Sequence, residues 1–104
     1  MKAYVLALDR APGYLGAMVH LGHALRMLGR YDQALRMGRE VLARKPDDAD
    51  ALHLMGLVHY ARGDESAAAG YLRRFLETGP ELEVAQEARG LLEILEGRVE
   101  PVDS

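Results

Sequence analysis

Four histidines are the residues of this chain best suited to chemistry: His20, His23, His53 and His59. His20 and His23 are three apart, so on a helix they share one face. A metal site needs such convergence and a third or fourth ligand. The chain has no cysteine, and no carboxylate stands among residues 15–29. The histidines are therefore read as ordinary groove or surface groups, with no metal and no cofactor. His59 falls at a packing position and is expected to be a core histidine with a hydrogen-bond partner. Histidine gains its charge near neutral pH, so a cluster of them makes binding pH-sensitive. The expectation is that affinity for a partner rises as pH falls from about 7.5 to about 6.

Nucleophilic and phosphate chemistry find no residues to use. The serines are Ser66 and Ser104, and neither sits in a Gly-x-Ser-x-Gly elbow. The eleven glycines are scattered and form no phosphate loop. The carboxylate pairs Asp47-Asp48 and Asp64-Glu65 stand at expected helix starts, where capping accounts for them. No catalytic residue is assigned, and the chain is read as a protein that is not an enzyme.

The composition bounds the partner. A chain of 104 residues with 49% apolar and 28% charged content is one soluble globular domain. The net charge of −3 argues against nucleic acid. No apolar run is long enough to span a bilayer. Asp9 and Arg10 interrupt the apolar start too soon for a signal peptide, so the expected compartment is the cytoplasm. Arg36, Arg39, Arg44 and Lys45 interleave with Asp32, Glu40, Asp47 and Asp48, which describes a solvated face rather than a membrane-binding one.

The elements that position these groups repeat. Shifted by 34 residues, Ala17, Gly22, Gly29, Ala34, Arg39, Leu42 and Pro46 fall on Ala51, Gly56, Gly63, Ala68, Arg73, Leu76 and Pro80. In each unit apolar residues recur at helical spacing: Met18, Leu21, Leu25 and Leu28, then Leu52, Met55 and His59. Gly29 and Gly63 break the runs. A second helix follows in each unit, carrying Ala34, Leu35, Val41 and Leu42, then Ala68, Leu72, Phe75 and Leu76. Pro46 and Pro80 end these helices. Gly22 and Gly56 lie within helices, with Ala34 and Ala68 expected as the small surfaces opposite them. Met18 and Met55 are expected to pack between helices, and Met27 and Met37 to be partly exposed.

With its period, glycines, alanines and prolines, the chain resembles the tetratricopeptide repeat family. Met18 and Leu52 stand where the family has a bulky aromatic, Leu25 and His59 where it has tyrosine, and Gly38 and Leu72 where it has a second-helix aromatic. The implied fold is all-α: an α-α superhelix of antiparallel helix pairs, about six helices in all. Residues 15–46 and 49–80 are whole repeats. Residues 1–12 resemble the second helix of a partial repeat, with Tyr4 at the Gly38 position, Leu8 at that of Leu42 and Pro12 at that of Pro46. Residues 81–96 resemble the polar capping helix of such arrays, completing one domain over 1–96, and 97–104 are expected to form a loose tail.

The resemblance also implies a function. Leading helices of such repeats line a concave groove that receives a peptide or helix of a partner protein. The matching positions are Val19, His23, Arg26, His53, Leu57 and Tyr60, joined by Arg89 from the last helix, with His20 at the edge. A groove of this make-up is apolar and weakly basic. It fits an apolar segment with some acidic character, held by a protein–protein interaction scaffold. The Lys and Asn with which one subset of the family clamps chaperone tails are replaced by Val19, His23, His53 and Leu57. The alternative is a homo-oligomerisation element in which Tyr4, Leu8 and the leading edge of 15–29 pair with another copy.

Overall fold

The computed structural model describes residues 14–99. They form five helices: α1 (Tyr14–Met27), α2 (Tyr31–Arg44), α3 (Ala49–Ala61), α4 (Glu65–Glu77) and α5 (Leu82–Val99). The fold is all-α, with no strand among the described residues. The sixth expected helix, over 1–12, lies outside them, as do Tyr4 and Leu8. Each helix packs on the next, and α1 also contacts α3, past the intervening α2. The leading helices α1 and α3 therefore lie side by side.

The turn chemistry is the same in both repeats. After α1 the Arg30 N–H donates to the Leu25 carbonyl at 2.8 Å and the Gly29 N–H to Arg26 at 3.0 Å. After α3 the Asp64 N–H donates to His59 at 2.8 Å and Gly63 to Tyr60 at 3.0 Å. Both are Schellman closures, which require a left-handed residue just past the helix. Gly29 and Gly63 supply it with φ of 81° and 84°. Asp48 caps α3, its side chain accepting from the Ala51 N–H at 3.0 Å. Asp64 makes no such cap. Its carboxylate instead lies 3.3 Å from His59 Nδ1.

Two clusters of buried side chains form the core. Met18, Val19, Ala34, Leu35, Val41, Leu54, Met55 and Val58 belong to the first, and Leu52, Ala68, Leu72, Phe75, Ala88 and Leu95 to the second. Helix α3 feeds both, because α1, α2 and α4 all pack against it. A helix covered on so many sides must be apolar nearly all round, and Ala51, Leu52, Leu54, Met55 and Val58 make it so.

The small residues follow expectation at Gly56 and depart from it at Gly22. A side chain at Gly22 would collide with Leu54 of α3, and the next neighbour is Met37; Ala34 is not among its near contacts. At Gly56 an added Cβ would come within 2.9 Å of Leu72 and 3.6 Å of the Ala68 carbonyl oxygen. Both glycines thus admit a leucine side chain, and Gly56 a close backbone as well. Gly38, at the position of the missing aromatic, opens a hole that Met55 fills, with Sδ 2.5 Å from where a Cβ would stand. A thioether adapts well to such a gap. As expected, Met18 and Met55 are buried, Met37 is half-buried and Met27 is exposed.

Helix α5 continues the 34-residue period, since Gly90 and Gly97 follow Gly56 and Gly63. No turn forms at Gly97, and the helix runs on to Val99. Residues 97–99 of the expected tail are therefore helical, and 100–104 lie outside the described residues. At α1 the leading face is uncovered among the described residues. Leu21 is 51% and Leu28 71% exposed, whereas Met55, the counterpart of Leu21 in α3, is 0% exposed.

Candidate functional site

A hollow of about 480 Å³ opens between the leading helices and α5. His23 and Arg26 of α1, His53 and Leu57 of α3, Leu72 of α4, and Glu87, Ala88 and Leu91 of α5 line it. Four of the seven groove positions expected from sequence, His23, Arg26, His53 and Leu57, thus converge on one concavity.

The remaining three do not line the hollow. Val19 is only 3% exposed and belongs to the first core cluster. Its short, branched side chain packs into the core where its repeat counterpart, His53, reaches the hollow. Tyr60 is partly exposed one turn beyond Leu57 and lies off the lining. Arg89 is exposed on α5, and Glu87 faces the hollow instead. Two residues along a helix is a rotation of roughly 200°, so both cannot share that wall. The expected weakly basic groove therefore carries a carboxylate as well. His20 is exposed and does not line the hollow. Glu87 and Leu91 are one period on from His53 and Leu57. Extending the repeat into α5 would have found them.

The imidazoles are held by rings. His53 stacks on Phe75, with centroids 4.6 Å apart and planes 13° from parallel. His23 meets His53 edge-on at 6.2 Å. Burial, with the Arg26 charge next, pushes both histidines below the ordinary value of 6.5. Each also feels the Asp50 carboxylate in the opposite sense, and Glu87 acts likewise on His53. At neutral pH both rings are uncharged, so Arg26 supplies the positive charge of this wall. Its Nε is buried without a hydrogen-bond partner.

His59 lies apart from this site. It stacks on Tyr71 at 5.5 Å, and its buried Nδ1 forms no hydrogen bond even though Asp64 is near. The expected hydrogen-bond partner is therefore not found, and the Asp64 carboxylate lies 3.3 Å from Nδ1. Among the described residues no three histidines or carboxylates gather as metal ligands, and no helix is long and apolar enough to cross a membrane.

Comparison with known proteins agrees with the repeat. The chain is 36% identical over 88 residues to the cellulose synthase 2 operon protein C of Komagataeibacter xylinus, which covers 84% of the chain and 7% of that protein. It is 32% identical over 77 residues to a TPR repeat-containing protein of Methanocaldococcus jannaschii, covering 74% of the chain and 14% of that protein. The chain thus spans a small part of the length of either relative. The family model for the tetratricopeptide repeat, as a rule a non-catalytic module of protein–protein interaction, matches residues 1–56 and 25–93. Helix pairs, turn glycines and this match together make the chain a member of the tetratricopeptide repeat family.

Proposed function

We propose that the hollow between α1, α3 and α5 receives a short segment of a partner protein, apolar with some acidic character, and that the chain acts as a scaffold without catalysis of its own. The observation that carries this reading is the convergence of His23, Arg26, His53 and Leu57 with Leu91 on one concave surface. Leucines supply apolar anchoring, and the cation of Arg26 selects for negative charge. Affinity purification of partners with wild type and with a His23→Glu, Leu57→Glu variant tests it. Both positions border the open hollow, so helicity by circular dichroism should be unchanged. Loss of specific partners from the variant is expected, and an identical partner set would move the binding surface elsewhere.

A second reading is self-association through the outer face of α1, on which Ala17, Leu21 and Ala24 recur at intervals of four and three, with Leu28 in the turn that follows. The bare Leu21 and Leu28 favour it, because α2 packs on α3 in the next repeat. In this reading Tyr4 and Leu8 extend the interface. Light scattering should then show a mass above the monomer that falls when Leu21 and Leu28 are both replaced by glutamate. A monomeric wild type at all concentrations removes the idea.

A further inference from the structure

We propose that Arg26, flanked by His23 and His53, is a carboxylate-binding subsite of the hollow, taking an acidic side chain of the bound segment. The proposal rests on the hollow being the binding surface, and it adds the chemistry that the hollow selects. A buried guanidinium N–H without a partner is costly. Arg26 leaves Nε in that state, and no ion pair is formed with it among the described residues. Nε itself is shut off from solvent, so an incoming carboxylate meets the guanidinium where Arg26 lines the hollow, its two oxygens matching the planar fork of N–H donors.

The surroundings narrow the anion further. Glu87 faces the same hollow from α5. Its charge disfavours a dianionic phosphate more than a single carboxylate. Leu57, Leu72 and Leu91 share the lining, so the acid should arrive on an apolar segment rather than as a free ion.

The histidines couple this binding to protons. The groups that act on them are Arg26 and His20 from α1, Asp50 from α3 and Glu87 from α5. Burial lowers both rings most, and a carboxylate seated beside Arg26 offsets the second cause, the guanidinium charge. Their pKa values rise on binding, the complex takes up protons, and affinity increases as pH falls toward and below 6.5. The earlier expectation of a rise already from about pH 7.5 therefore moves to lower pH.

Acetate, with acetamide as its neutral isostere, is the probe at constant ionic strength. The ring C–H resonances of His23 and His53 should shift saturably with acetate, and their titration midpoints should rise. Acetamide should leave them unmoved. Arg26→Gln should weaken the acetate response about tenfold or abolish it. A response equal for acetate and acetamide, or one that survives Arg26→Gln, overturns the subsite. Two short leucine-flanked peptides separate the sources. One has a glutamate and blocked ends, and the other a glutamine and a free C-terminus. Preference for the first is expected, and preference for the second reassigns the site to chain ends and overturns the side-chain proposal. An unchanged partner set in the purification with the His23→Glu, Leu57→Glu variant rejects the hollow itself, whereas the acetate test rejects the subsite alone, so the two failures are distinguishable.

Discussion

At the scale of single residues, the packing turns on what stands opposite a glycine. The sequence shows Gly38 where a large ring is expected, and that reads as a deficit. In the fold the space is used, because Met55 from the next repeat lies over it. The two positions should therefore be energetically coupled. Met55→Ala empties a fully buried site and should cost about 3 kcal/mol. Gly38→Leu alone should cost about 1–3 kcal/mol by overpacking against the same thioether. Together they should cost at least about 1 kcal/mol less than the sum, because the new leucine refills the hole. Denaturant unfolding of the four proteins measures this cycle, and strict additivity would show that the positions do not share one cavity. Sequence alone does not reveal such a pairing, since it names neither the rotamer of Met55 nor the neighbour of Gly22.

At the scale of elements, turn and helix glycines differ in role. Gly63 holds a left-handed turn with φ of 84°, whereas Gly90 lies within α5 with nothing within 4 Å of an added Cβ. Gly63→Ala should cost about 1–2 kcal/mol, because an L side chain is strained there. Gly90→Ala should instead raise stability by about 0.5–1 kcal/mol, since the helix gains propensity and loses no contact. Opposite shifts in the unfolding midpoint are expected, and a loss on Gly90→Ala would mean that its outer face is occupied. The elements themselves were legible. Turn glycines, the Asp48 cap and the terminating prolines act through local backbone chemistry, and local chemistry is written in adjacent residues. The site was half legible. His23, Arg26, His53 and Leu57, which the family resemblance implies, line the hollow, but Val19, Tyr60 and Arg89 do not. Whether a side chain enters the core or the hollow depends on helices distant in sequence, and the phase of α5 was set only by following Gly90 and Gly97.

At the scale of the whole molecule, surface ties add little and the half-buried histidines set the response to pH. The Arg73 guanidinium donates twice to Glu96, at 3.0 and 2.5 Å, and Arg62 pairs with Asp32 across the two repeats. These exposed pairs are each worth under about 1 kcal/mol. His23 and His53 differ in kind, because folding holds both below 6.5 through burial and the nearby Arg26. The unfolded chain binds their protons more readily than the folded one. Stability from these groups is therefore complete above the unfolded value of 6.5 and falls as pH drops through it toward the lower folded values. Below the folded values the slope from these two residues ends. Thermal unfolding between about pH 7.5 and pH 5.5 should show a falling Tm in wild type. The slope should flatten in a His23→Gln, His53→Phe variant that keeps an aromatic ring against Phe75. An equal slope in the variant would assign the pH response to other groups. A carboxylate bound beside Arg26 acts in the opposite sense, so acetate should flatten the wild-type slope and leave that of the variant unchanged.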